Sequence, residues 1–180
     1  MICEKEKLRW ASANGHVAVV DRLLQVEGMG VDDVRAHGNY ALRWASANGH
    51  VAVVDRLLQV KGMGVDDVRA EDNYALRQAS ENGHDAVVAR LLQVPGIDAT
   101  DVRADNNFAL QLASQNGHVA VVDRLLQVPG IDATDVRADN NFALQLASQH
   151  GHVAVVDRLL QVPGITRHLA AYATYADDAT

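Results

Sequence analysis

Asn116-Gly117-His118-Val119-Ala120-Val121-Val122-Asp123-Arg124-Leu125-Leu126 is the stretch that decides the fold, because the chain repeats it. Its glycine recurs as Gly15, Gly49, Gly83, Gly117 and Gly151, each 34 positions after the last. Only the fifth copy changes the asparagine, to His150. A period held over most of a chain marks a solenoid, in which each unit packs only on its neighbours. A catalytic centre is normally assembled once from unlike parts, whereas five near-copies of one part make a surface.

One unit resolves into two helices and a connection. Phe108-Ala-Leu-Gln-Leu-Ala-Ser-Gln-Asn116 is rich in good helix formers. Asn116 and Gly117 stop that helix, since glycine takes the left-handed closing conformation without steric cost. A second helix is predicted from about His118 to Val128. Val121, Val122, Leu125 and Leu126 form its apolar stripe, with Asp123, Arg124 and Gln127 on the other side. Pro129-Gly130 ends it, and a polar stretch from Asp132 to Asn141 leads on. Neither helix is long enough to stand alone in water, so stacking has to supply the burial.

Composition narrows the function. Apolar residues make up 48% of the 180 and aromatics only 4%, so the core is built from Ala, Val and Leu. The net charge of −7, with lysine only at Lys5, Lys7 and Lys61, argues against nucleic acid, whose phosphates attract clustered cations. An acidic protein finds basic protein partners faster. Cys3 is the sole cysteine, which excludes an internal disulfide. No apolar run reaches the length of a membrane helix, so the chain reads as soluble and cytoplasmic, with no membrane partner.

Gly-His-x-x-Val-Val-x-x-Leu-Leu followed by a glycine resembles the second half of an ankyrin repeat, over roughly residues 8–165. The usual unit has about 33 residues; here one more lies between the leucine pair and the glycine, as in Leu125-Leu126-Gln-Val-Pro-Gly130. The family's Thr-Pro-Leu-His is replaced by Tyr40-Ala-Leu-Arg43, Tyr74-Ala-Leu-Arg77, Phe108-Ala-Leu-Gln111 and Phe142-Ala-Leu-Gln145. Its hairpin-tip glycine corresponds to Gly38, Asp72, Asn106 and Asn140, residue types that tolerate positive φ. With the threonine and histidine gone, Tyr or Phe is expected to steady the corner by packing. The aromatic-Ala-Leu variant is similar to ankyrin repeats of large DNA viruses of amoebae. The resemblance implies an all-α solenoid of five stacked helix pairs with hairpin-like connections.

The two ends read differently. Leu8 to Val26 is identical to Leu42 to Val60, so the first repeat shows little capping adaptation. That end is expected to continue a longer solenoid, or to meet a partner or a second copy of the chain. After Ile165 the pattern breaks, and residues 166–180 are read as a capping helix and frayed tail, with Thr166 as N-cap.

Three columns of reactive residues invite sharper readings. His16, His50, His84, His118 and His152 sit one per repeat, too far apart for a metal, so each is expected to bond turn backbone. A serine stands four before each histidine, but a helix stop separates the two and no orienting group is evident. Asp98, Asp101 and Asp105 lack the spacing and the glutamate of a calcium loop, and read as a solvated turn with helix-capping carboxylates. No cofactor, no metal and no enzymatic reaction are expected.

The resemblance places partner contacts on a concave face. On the tips these are His37, Glu71, Asp105 and Asp139, followed by Asn39, Asn73, Asn107 and Asn141. At the helix ends Glu81, Gln115 and Gln149 join them, and Arg9, Trp10, Arg43, Trp44 and Arg77 complete the set. Trp10 and Trp44 read either as partial packing between repeats or as an aromatic platform flanked by Arg9 and Arg43. The leading function is a protein–protein interaction scaffold for a basic partner, a host protein if the viral likeness holds. The alternatives are a structural protein associating end to end or as dimers, or a consensus-designed scaffold.

Overall fold

The computed structural model describes residues 3–165, and every regular element among them is helical. The predicted capping helix after Ile165 lies outside the described residues. The chain divides into two compact bodies, one reaching to Ala79 and including Ala86–Ile97, the other holding Ser80–Asp85 and the residues from Asp98 on.

The first body contains α1 (Glu4–Ala13), α2 (Val17–Leu24), a four-residue α3 (Val31–Val34), α4 (Ala36–Ala47) and α5 (Val51–Leu58), then most of α6 (Val65–Glu81) and of α7 (Asp85–Leu92). Helix α1 packs on α2 and α4, and α5 packs on α2 and α4. Leu8, Leu42 and Leu76 on the first helices and Leu57 and Leu91 on the second are all essentially without exposure. Each such leucine contributes about 2 kcal/mol of burial. The second body repeats the scheme with α8 (Ala99–Val102), α9 (Ala104–Gln115), α10 (Val119–Leu126), α11 (Ala133–Val136), α12 (Ala138–Gln149) and α13 (Val153–Leu160). Here α9 packs on α12 and α10 on α13, around Leu110, Leu125, Leu144 and Leu159.

Each first helix ends as the sequence requires. In α9 the Gly117 N–H bonds Ser114 O at 3.3 Å and the His118 N–H bonds Ala113 O at 2.9 Å, with Gly117 at φ 76. This double closure satisfies two orphan carbonyls and throws the histidine back toward the preceding repeat. His50 Nε2 then donates to Ala13 O at 3.1 Å, His118 to Glu81 O at 2.9 Å, and His152 to Gln115 O at 2.9 Å. These three histidines bond backbone as expected, and the backbone belongs to the repeat before.

The connections hold more structure than a polar loop. Asp98 caps α8 by accepting from the Thr100 N–H at 2.7 Å, and Asp132 does the same for α11. The capping half of the aspartate reading therefore holds, but Asp101 and Asp135 are not solvated: each is 4% exposed. The Asp135 carboxylate accepts from Asp132 N–H at 2.8 Å and from Arg103 of the previous repeat, Nε at 2.6 Å. Asp67 is held likewise by Gly64 N–H and Arg35. In the first repeat Lys5 takes the arginine's place, at 2.5 Å from Asp33. A second ladder joins successive second helices through Arg56–Asp21, Arg90–Asp55, Arg124–Asp85 and Arg158–Asp123. These pairs are half-exposed, so each contributes less than about 1 kcal/mol.

Burial alone would raise the Asp67 carboxyl, but hydrogen bonds from Arg35 and Gly64 and the guanidinium charge hold it below its ordinary 3.8. A carboxyl depressed in the folded state adds stability that is fully present above 3.8 and is lost as pH falls through the lower folded value. Wild-type protein should therefore lose stability below 3.8 in an acid titration followed by circular dichroism, and Asp67→Asn should flatten that loss. An unchanged slope in the variant would remove Asp67 from the acid response.

Candidate interaction surface

Between each short helix and the next first helix the backbone turns left-handed for three residues running. In the first body these triplets are His37-Gly38-Asn39 and Glu71-Asp72-Asn73; in the second they are Asp105-Asn106-Asn107 and Asp139-Asn140-Asn141. Gly38, Asp72, Asn106 and Asn140 take positive φ as the sequence implies, and both neighbours do too. Each left-handed residue costs about 1–2 kcal/mol unless it is glycine or a short polar residue. All eleven non-glycine examples among the described residues are Asn, Asp or His, except Glu71.

The fourth residue of the aromatic-Ala-Leu signature closes the turn. Arg43 Nη2 donates to His37 O at 2.9 Å and Arg77 Nη2 to Glu71 O at 3.2 Å. Gln111 Nε2 donates to Asn106 O at 2.7 Å and Gln145 Nε2 to Asn140 O at 2.6 Å. The corner is thus hydrogen-bonded, and packing is not its sole support. Aromatic packing is also present: the Tyr40 and Trp44 rings lie 5.6 Å apart, Arg9 lies 5.6 Å over Tyr40, and Arg43 lies 5.0 Å over Tyr74.

The sequence-predicted residues therefore separate by role. His37, Glu71, Asp105 and Asp139 are exposed at the tips, and Gln149 is exposed at a helix end. Asn39, Asn73 and Asn107 are buried, at 6–7% exposure, and Asn141 is half-buried. The third left-handed residue points inward, which corrects their placement on a contact face. Arg9, Arg43 and Arg77 are half-buried, and Arg43 and Arg77 brace the turns. Glu81 and Gln115 lend their carbonyls to histidines while their side chains stay half-exposed. Trp44 is 37% exposed and Trp10 is 61% exposed, so the platform reading and the packing reading each describe part of them. In the second body the Asp139 carboxylate also accepts from Gln111 at 3.1 Å, which fixes that tip to its neighbour.

The other constellations do not assemble chemistry. Ser12, Ser46, Ser80 and Ser114 have no exposed surface, and His50 and His118, four residues after Ser46 and Ser114, are spent on carbonyls. Among the described residues no group of three His, Cys, Asp or Glu is placed to hold a metal ion, and no helix is long and apolar enough to cross a membrane.

Comparison with known proteins agrees with this geometry. The profile described as ankyrin repeats (3 copies) matches residues 8–102 and again 76–167. An ankyrin repeat family protein from Legionella pneumophila has a similar structure, with a TM-score of 0.64 over 99% of this chain and 68% of that one. The two are 20% identical, so the likeness is one of fold. No curated protein matches the chain. With its paired helices, glycine-histidine closures and repeat profile, the chain belongs to the ankyrin-repeat family, whose repeats generally serve as protein–protein interaction modules.

Proposed function

We propose that this protein is a scaffold for a basic protein partner, each body offering its left-handed tips and the exposed flanks of its first helices. The observation that carries the reading is the pair of tips in each body. His37, Glu71, Asp105 and Asp139 share one backbone conformation, φ 57, 55, 53 and 49, yet differ in side chain. The scaffold beneath them hardly varies. Tips locked by hydrogen bonds are pre-organised, so little ordering entropy is lost on binding. Three of the four are acidic, in a chain of net charge −7, which favours a cationic partner and speeds its approach. Trp44, ringed by Tyr40 and partly exposed, supplies an aromatic anchor. The free, exposed Cys3 suits a reducing cytoplasm, where we place the encounter.

Reversing two tips with Glu71→Lys and Asp105→Lys should weaken binding of a partner first captured by wild-type protein by about tenfold or more. Both side chains are exposed, so helicity should stay near wild type, while Asp105→Lys, which puts a long side chain at a left-handed position, should lower the melting temperature modestly. Trp44→Ala should weaken the same partner independently. Equal binding by wild type and all three variants, measured by titration calorimetry with the purified partner, would remove the tips from the contact. Arg43→Ala is a poor probe of binding, because it also releases the His37 carbonyl and the Tyr74 ring.

A further inference from the structure

We propose that the Asn-Gly pairs of the first four repeats are sites of self-modification, and that at Asn14, Asn82 and Asn116 a histidine of the next repeat holds the reaction back. The pairs are Asn14-Gly15, Asn48-Gly49, Asn82-Gly83 and Asn116-Gly117, and all four asparagines are exposed. Glycine has no side chain to shield its backbone nitrogen. That nitrogen gives up its proton and bonds the asparagine Cγ, the Cγ–Nδ2 bond breaks, and the proton leaves with Nδ2 as ammonia. Water then opens the cyclic imide at either carbonyl, leaving aspartate or its isomer linked through the side-chain carboxyl. One water is consumed for each ammonia released.

The folded chain opposes the first step. The ring closes only when Cβ eclipses the glycine nitrogen, yet ψ is 7 at Asn14, 6 at Asn48 and 3 at Asn116. Those values eclipse the glycine nitrogen with the asparagine's own nitrogen and turn Cβ away. The glycine N–H is also bound, to Ser12 O, Ser46 O, Ser80 O and Ser114 O at 3.2–3.4 Å. Reaction therefore requires the helix closure to open locally.

What resists that opening belongs to the next repeat. His50 Nε2 donates to Ala13 O, next to Asn14, and its ring lies so close that a Cβ on Gly15 would be 2.6 Å from Nδ1. His118 spans Glu81 O and Gly83 in the same way, and His152 spans Gln115 O and Gly117. Each ring straddles an Asn-Gly pair, tied to the carbonyl before it and packed on the glycine. The arrangement also passes damage backwards. The isomerised product adds a methylene to the backbone just ahead of a histidine, since His50 follows Asn48 by two residues and His118 follows Asn116 by two. A displaced His118 frees Asn82-Gly83, and a displaced His50 frees Asn14-Gly15. The fifth repeat has His150 before Gly151, so this chemistry never displaces His152 from within its own repeat.

Peptide mapping by mass spectrometry of the full chain, aged in warm, mildly alkaline buffer with and without urea, tests this. In urea all four asparagines should convert to a mixture of aspartate and isoaspartate. In native protein each should convert at least about tenfold more slowly. His152→Ala, confirmed as folded by circular dichroism, should speed Asn116 by up to about tenfold, the worth of one net hydrogen bond, and leave Asn14 and Asn48 at their native rates. His50→Ala should speed Asn14 and leave Asn116 alone. Native molecules converted at Asn116 should carry conversion at Asn82 more often than chance pairing gives. Intact asparagines in urea, equal rates with and without it, folded histidine variants that speed every site alike or none, or conversion of Asn82 independent of Asn116 would each overturn the proposal. No partner takes part, so this inference and the partner-binding reading fail separately.

Discussion

Gly117→Ala should cost about 3 kcal/mol or more, and Gly151→Ala about 1 kcal/mol, although both glycines close a first helix in the same way. Their φ values are 76 and 73, so the penalty of placing a Cβ in the left-handed region is common to both. The difference is what lies beyond. A Cβ on Gly117 would come within 2.5 Å of His152 Nδ1 and 2.8 Å of Cε1, closer than atoms pack. That ring cannot swing aside without giving up its bond to Gln115 O. At Gly151 the space is open among the described residues. Urea denaturation of the two variants measures the gap. Shortening the ring with His152→Ala should recover part of the Gly117→Ala loss, as neighbours in contact are non-additive. Equal costs at the two glycines would mean that the histidine does not sit where the structure puts it.

Arg35→Ala should destabilise the protein at neutral pH more than Asp67→Asn does. The arginine spans two repeats, with Nε to Asp67 Oδ1 at 2.7 Å, Nη2 to Oδ2 at 3.0 Å and Nη2 to Gly62 O at 2.6 Å. The carboxylate is 3% exposed while the arginine side chain is 40% exposed. Removing the arginine strands a buried charge; removing the charge leaves a cation that water can still solvate. Without the guanidinium, burial dominates and the carboxyl takes up a proton more readily. The deficit of Arg35→Ala should therefore narrow as the medium is made acid. Denaturation of both variants at neutral and acid pH checks this, and equal costs at all pH values would contradict it.

These two contacts also show what a sequence lets one see. Gly117 and the stripe of Val121, Val122 and Leu125 were legible because helix stops and apolar periodicity are local. The tie between Arg35 and Asp67 was not, since residues 32 apart look like separate solvated charges until the repeats are stacked. The four-residue helices α3, α8 and α11 are too short for any periodicity to register. Asp98 followed by Asp101 does carry the spacing of a reciprocal helix cap, and that signal was available. Asn39, Asn73 and Asn107 read as surface because asparagine in a loop usually is. Three left-handed residues in a row turn the third one inward, and nothing in its side chain announces that. The tips His37, Glu71, Asp105 and Asp139 were legible as exposed, whereas the bracing role of Arg43 and Gln111 arises only when the chain folds back on its own turn.

Successive repeats reach back to the one before, and the histidine Nε2 protons report on this directly. In a proton NMR spectrum in water, the Hε2 protons of His50, His118 and His152 should exchange slowly and show cross-peaks to Ala13, Glu81 and Gln115, each 37 residues earlier. Fast-exchanging protons, or cross-peaks to any other segment, would contradict the stacking of the repeats in this register.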